Sequence, residues 1–224
     1  MWKSVVYKEW LKIRWFTLVF TGLGLLTVGN LFLKVQHDFT FSTAPGYWYQ
    51  VLFQNHQFSN YGLFKFIPSL GALAIALAQY FPETVNKRIK LTFHLPINEN
   101  NVLLIMMLTG ATCILAAYLV MVLTFMVFCS LYFPSEITEA SLISILPWFL
   151  CGFAVYFLTA LIVLEPVWKY RLFYLLVAAT FLPVYLEPAV TGGYAPALPI
   201  LVLFTVILSI SLLFSGYRFR KGEM

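Results

Sequence analysis

Residues 102–132 read VLLIMMLTGATCILAAYLVMVLTFMVFCSLY, the longest apolar run of the chain, and none of these side chains is charged. An α-helix needs roughly 20 apolar residues to cross a hydrocarbon layer about 30 Å thick, so this run is long enough to tilt or to project beyond the layer. Its backbone must be helical, because a lone strand in lipid would leave its peptide groups without hydrogen-bond partners. The run therefore predicts a membrane-spanning helix.

The whole chain has the same apolar bias. Of its 224 residues, 61% are hydrophobic and 10% are charged, whereas a soluble domain has roughly 45–50% and 25%. This composition excludes a soluble enzyme, a disordered linker and a disulfide scaffold, and it indicates an integral membrane protein. Cys113, Cys129 and Cys151 all lie inside apolar stretches. An odd number of cysteines in that setting predicts small packing residues rather than disulfides or metal ligands.

Five further apolar segments accompany the first, and together they predict six transmembrane helices. Their bounds are 15–33, 66–82, 142–164, 172–186 and 197–217. We therefore predict an all-α integral membrane protein with one transmembrane domain over residues 1–224. The connecting segments are an outer loop at 34–65, an inner segment at 83–101 and a cytoplasmic tail at 218–224.

The basic residues predict the orientation of these helices. With the amino terminus in the cytoplasm, twelve of the fourteen Lys and Arg residues fall on the cytoplasmic side, and only Lys34 and Lys65 lie outside. Cytoplasmic loops carry an excess of basic residues in membrane proteins. Both termini are therefore predicted to be cytoplasmic.

The first fourteen residues predict an interfacial helix ahead of the first span. A flat helix at the membrane surface is typical of a basic amphipathic segment with tryptophans. The alternative is a frayed cytoplasmic lead-in to the first span. The apolar residues that recur here at helical spacing are Trp2, Val5, Val6, Trp10 and Ile13.

The outer loop, residues 34–65, carries nine aromatic residues, among them Tyr47, Trp48 and Tyr49. Aromatic rings with polar tips favour the headgroup level of a membrane. We predict an aromatic belt that rests on the membrane surface, and a lid over a ligand is the alternative.

Several kinds of chemistry lack the residues they need. No G-x-x-x-x-G-K-[ST] or H-E-x-x-H motif occurs, the histidines His37, His56 and His94 lie in loops, and Asp38 is the single aspartate. We therefore predict that the chain is not an enzyme and holds no cofactor or metal.

No ionisable residue lies near the middle of a span, which disfavours an ion-coupled transporter. Gln79 and Asn30 are the strongest polar groups in the first two spans, and such residues usually hydrogen-bond between helices.

Residues 83–99, ETVNKRIKLTFHLPINE, form the most informative inner segment. A glutamate leaves the second span, a basic stretch follows, and Pro96 stops the short helix before the third span. Composition alone is also compatible with a solvated basic loop, so the residues themselves leave both interpretations open.

This segment resembles the loop after span two in the permease subunits of the ABC type-2 exporter family. In that family the loop runs from a glutamate through a basic or glycine-containing turn into a leucine-rich stretch that closes with Leu-Pro. Glu83, Leu91 and the pair Leu95-Pro96 match this pattern. Arg88-Ile89 stands where the family has Gly-Thr. The amino-terminal helix containing Lys8-Glu9-Trp10, the six spans and the short piece between spans five and six complete the resemblance.

The resemblance implies a permease that pairs with a second permease subunit and with a cytoplasmic ABC ATPase that binds ATP and Mg. Residues 1–14 would be the elbow helix and residues 83–101 the coupling segment, in a multi-pass protein of the bacterial cytoplasmic (inner) membrane, in contact with lipid and not with nucleic acid. The cargo is not implied. The residues expected to dock onto the ATPase are Glu83, Lys87, Arg88, Lys90, Leu91, Phe93, Leu95 and Pro96.

The piece after span five is a hypothesised outer gate. Pro188, Gly192 and Gly193 interrupt regular helix there, and irregular backbone at membrane depth needs protein or water around it. An ordinary turn is the alternative. For the protein as a whole, the alternatives to an exporter permease are a membrane assembly or scaffold protein and an ion-coupled secondary transporter.

Overall fold

The computed structural model of the protein describes residues 2–41, 43–49, 61–85, 99–187 and 193–221. These residues form seven α-helices and one 3-10 turn, with no strand among them, so the all-α prediction is confirmed. The helices are α1 (Trp2–Phe41), α2 (Ala44–Tyr49), α3 (Ile67–Val85), α4 (Glu99–Tyr132), α5 (Ser135–Leu164), α6 (Trp168–Leu186) and α7 (Leu198–Lys221), and the 3-10 turn is Gly62–Lys65.

Four of these helices are long and apolar enough to cross a membrane. They are α1, the part of α4 from Asn101 to Tyr132, α5 and α6. Helix α3 carries Gln79 and Glu83 toward its carboxyl end, and the apolar part of α7 that the structure describes is shorter. Each of the six predicted spans nevertheless overlaps one of the helices α1 and α3 to α7.

Helix α1 is longer than the sequence predicts. An interfacial helix at 1–14, a span at 15–33 and a loop from 34 were expected, yet the structure has one continuous helix of 40 residues. At 1.5 Å per residue it is about 60 Å long, about twice the thickness of a hydrocarbon layer. The segment contains no proline, so no residue in it forces the helix to end at either predicted boundary.

The buried face of the first turns of α1 also differs from the predicted apolar face. Val5, Glu9 and Ile13 are buried, while Trp2 and Trp10 are 53% and 41% exposed. Residues four apart lie above one another on a helix, so one row of α1 turns inward. That row contains a glutamate, and its burial indicates a polar partner on a neighbouring helix.

Helix α5 lies at the centre of the bundle and contacts α3, α4, α6 and α7. Most of its apolar stretch is buried, whereas almost none of that in α6 is. Tyr185 is the buried residue of α6, and its hydroxyl donates to the carbonyl of Leu201 on α7 at 3.1 Å. Helix α6 therefore lies at the edge of the bundle, with an apolar surface facing outward.

Part of the predicted aromatic belt packs into the protein instead. Tyr47 is buried, with its ring centroid 5.1 Å from that of Phe39 and 6.3 Å from that of Phe133 at the end of α4. Tyr49 is exposed. Residues 50–60 of the loop lie outside the described residues.

Glycines allow close approach where helices cross. The hydroxyl of Tyr118 on α4 lies against Gly152 on α5 and donates to the carbonyl of Pro68 at 3.0 Å. A Cβ atom at Gly152 would meet that hydroxyl and would lie 2.8 Å from the Pro68 oxygen. Small residues at such positions are typical of helix packing in membranes.

Replacing Gly152 with alanine is expected to destabilise the protein by about 1–3 kcal/mol, because the added methyl group overpacks this crossing. Gly22→Ala is the matched control, since a Cβ there meets nothing within 4 Å. Unfolding in detergent, followed by circular dichroism, measures both changes. Equal stability of the two variants would show that the crossing relaxes without cost.

Candidate functional site

A charged cluster joins the amino-terminal part of α1 to the carboxyl end of α3. Lys12 Nζ donates to Glu9 Oε1 at 2.7 Å and to Glu83 Oε1 at 2.5 Å. Lys8 Nζ lies 2.9 Å from the same Glu83 oxygen. One ammonium group therefore bridges two carboxylates on two helices, and a second ammonium group supports one of them.

The carboxylates of this cluster are deeply buried. Glu9 is 0% and Glu83 is 1% exposed, whereas the side chains of Lys12 and Lys8 are 19% and 42% exposed. Glu9 Oε2 and Glu83 Oε2 are buried without a hydrogen-bond partner in the described part of the chain. A buried carboxylate is costly unless it is paired, so the cluster depends on the two lysines.

The two lysines favour the ionised form of Glu83. Burial raises the pKa of its carboxyl group, but the hydrogen bonds and positive charges of Lys12 and Lys8 together outweigh burial and hold the pKa below its ordinary value. Lys8 and Lys12 are four residues apart, so both ammonium groups extend from one side of α1. The local sequence of α1 thus creates a paired cationic site for a carboxylate.

An uncharged polar network lies next to the cluster, between α3, α4 and α5. Gln79 is fully buried, and its Nε2 donates to the carbonyl of Met106 on α4 at 2.7 Å. The hydroxyl of Tyr156 on α5 donates to Gln79 Oε1 at 2.8 Å and lies 3.1 Å from that of Tyr80. Gly110 makes room for these groups. Gln79 therefore hydrogen-bonds between helices, as predicted.

The last two turns of α3 connect all these contacts. Gln79 and Glu83 are four residues apart and lie on one face, with Tyr80 beside them. Glu83 binds α1 through Lys8 and Lys12, while Gln79 and Tyr80 bind α4 and α5. A displacement of this end of α3 would therefore act on three other helices.

The structure describes few of the predicted site residues. It brings Glu83 against Lys8 and joins it to Glu9 through Lys12, and the resemblance also involves Lys8 and Glu9. Gly193 is exposed in a turn ahead of α7. The predicted residues that lie outside the described ranges are Lys87, Arg88, Lys90, Leu91, Phe93, Leu95 and Pro96 of the coupling segment, and Pro188 and Gly192 of the outer piece.

Sequence patterns do not identify Lys12, Tyr80 or Tyr156 as members of this site. One feature of the sequence does indicate a buried polar site. Glu9 lies in the same helical row as Val5 and Ile13, and a charged residue in a buried row needs a polar partner. The identity of that partner depends on the packing of α1 against α3, which no local pattern contains.

The described residues contain no group of three or more His, Cys, Asp or Glu side chains placed to hold a metal ion. Cys129 and Cys151 are buried and Cys113 is half-buried, all as free thiols, in agreement with their predicted packing role.

Comparison with family models, with curated proteins and with solved structures finds no match to this chain. The function is therefore inferred from the residues and their geometry.

Proposed function

We propose that the protein is the membrane-spanning permease subunit of an ATP-driven exporter of the ABC type-2 kind. The observation that supports this proposal is the ion cluster in which Lys8 and Lys12 of the amino-terminal helix contact Glu83 at the start of the coupling segment. The sequence resemblance rests on both elements, and Lys12 and Glu83 are 71 residues apart in the chain. A mechanical link between the two elements is what such a permease needs.

The proposed topology has six spans, with both termini and residues 83–101 in the cytoplasm of a bacterium and the spans in its inner membrane. Two features support it. The ion cluster requires the start of α1 and the end of α3 to lie on the same side of the bundle. The distribution of lysine and arginine favours the cytoplasm as that side.

In this proposal the chain performs no covalent chemistry. A separate ATPase subunit binds ATP and Mg, and its closure moves the coupling segment. That segment continues directly from α3, whose last turns are tied to α1 by ion pairs and to α4 and α5 by hydrogen bonds. The movement would reach those helices, which then rearrange together with a second permease subunit around the cargo.

Phe93→Ala is expected to weaken association with the ATPase, because a large apolar anchor at a docking surface is worth about 2 kcal/mol or more on truncation. That energy corresponds to roughly thirtyfold in affinity. Co-purification from native membranes and the ratio of ATP hydrolysed to cargo exported measure the effect. Phe93 lies outside the described residues, so its role comes from the sequence alone.

Lys90→Ala is the matched control within the same segment. A charge at the rim of an interface mainly changes the association rate, so this variant should matter less and chiefly at low salt. A Phe93→Ala protein that binds its ATPase and exports normally would contradict the docking proposal. A wild-type protein that purifies from gently solubilised membranes without any ATPase would favour the assembly or scaffold function.

A further inference from the structure

A pocket of about 250 Å³ opens beside residues 26–34 of α1, where that helix faces the 3-10 turn Gly62–Lys65. It differs from an apolar groove because polar groups form a large part of its wall. Thr27, Asn30 and Lys34 of α1 line it with polar groups, and Leu26 and Leu63 provide exposed apolar surface.

The three polar residues of the pocket share one face of α1, since their spacing is three and four residues. Thr27 Oγ1 donates to the carbonyl of Gly24 at 2.8 Å and retains its capacity to accept a hydrogen bond. Neither Asn30 nor Lys34 makes a hydrogen bond or ion pair to another part of the chain that the structure describes. Asn30 thus differs from Gln79, whose amide is occupied by neighbouring helices.

The opposite wall of the pocket is fixed before any ligand arrives. Phe64 is 1% exposed and its ring stacks on that of Phe125 with 6.0 Å between centroids. The ring of Tyr61 packs edge-on against Trp148 at 4.6 Å. Gly62 has a φ of +47°, which favours glycine, so the turn can expose Leu63 to the pocket. A preformed wall lowers the entropy cost of binding.

The charge of the pocket indicates the chemistry of its occupant. Lys34 is one of two basic residues on the predicted outer side. The excess of basic residues in cytoplasmic loops does not explain a lysine on that side. An ammonium group beside an amide, a hydroxyl and apolar surface matches a molecule with an anionic group, a polar neck and an apolar part.

We propose that this pocket binds an anionic amphiphile. Lys34 pairs with its anionic group, Asn30 and Thr27 hydrogen-bond to its polar neck, and the exposed side chains of Leu26 and Leu63 contact its apolar part. The assignment of the pocket to the outer side, and of the ligand as cargo, rests on the proposed exporter function. The same chemistry is offered by a released cargo molecule and by an anionic lipid of the outer leaflet.

The test uses the purified full-length chain in a neutral detergent, without ATPase, titrated with dodecyl phosphate and followed by native mass spectrometry. Lys34→Gln is expected to weaken binding by roughly tenfold, since hydrogen bonds to charged groups are worth this much or more. Lys34→Arg keeps the charge and should retain binding. Lys65→Gln removes the other outer lysine, which does not line the pocket, and should leave binding unchanged.

A parallel titration with phosphatidylglycerol, referenced to phosphatidylcholine, distinguishes the two sources. Loss of dodecyl phosphate binding in Lys34→Gln supports the pocket, with a free cargo if phosphatidylglycerol binding is unaffected and a lipid if it falls too. Equal binding by wild type and Lys34→Gln, or equal loss in Lys65→Gln, would overturn the proposal. Because no ATPase is present, failure here would leave the exporter function to its own experiment.

Discussion

Lys12→Met is expected to destabilise the protein strongly and to release the start of α1 from α3. The substitution removes the ammonium group that bridges Glu9 and Glu83 and leaves buried carboxylates without their principal partner. Breaking a buried pair in this way costs about 3–5 kcal/mol. We expect the lower end of that range, because Lys8 still lies 2.9 Å from Glu83. The free energy of unfolding, from denaturant titration in detergent, measures the loss.

Lys3→Met is the matched control for this prediction. It makes the same chemical change on the same helix at an exposed residue, so stability should change little. Adding Glu9→Gln to Lys12→Met removes one of the orphaned charges and should recover part of the lost stability. If Lys12→Met proves as stable as Lys3→Met, the cluster does not hold α1 to α3.

The same variants bear on the proposed function. An exporter permease that transmits force through Glu83 should lose coupling when Lys12 is removed, so that ATP hydrolysis continues while export falls. A membrane scaffold would lose stability alone. Comparing the two effects at a temperature where Lys12→Met remains folded separates the mechanical role of the cluster from its contribution to stability.

The predicted positions of the spans came from apolar length, which is a local property, and all six overlap helices of the structure. The prediction that the helix is interrupted near residues 14 and 34 was wrong for a physical reason. Composition changes at residues 14 and 34, but a change of composition does not end a helix unless a proline or a cap provides a stop. Nothing in Trp2–Phe41 does so, and the helix continues.

The candidate site was only partly predictable, because its contacts join residues far apart in the chain. Glu83 was identified from its position after span two, yet its partner Lys12 is 71 residues away, and Tyr156 is 77 residues from Gln79. Pairings of this kind depend on which helix faces meet. The first turns of α1 show the same dependence, since Trp2 and Trp10 are exposed while Glu9, paired with Lys12, is buried.

Gln79→Leu is expected to destabilise the junction of α3, α4 and α5 by about 1–3 kcal/mol, the cost of leaving a buried polar group poorly satisfied. The leucine has similar bulk but gives the Tyr156 hydroxyl no acceptor. That hydroxyl is left with the Tyr80 hydroxyl at 3.1 Å and the Met107 carbonyl at a longer distance of 3.3 Å. Thermal unfolding in detergent, compared with wild type, gives the size of the change.

Adding Tyr156→Phe to Gln79→Leu provides the decisive comparison. Each single variant already loses the hydrogen bond between Tyr156 and Gln79, so the second substitution costs less in the double variant than it does alone. The double variant should therefore lose less stability than the sum of the two single losses, and the double-mutant cycle should give a coupling energy of about 0.5–3 kcal/mol. Strictly additive losses would mean that Gln79 and Tyr156 act independently. The end of α3 would then be linked to α5 by packing and by the contact between the hydroxyls of Tyr80 and Tyr156, without a contribution from Gln79.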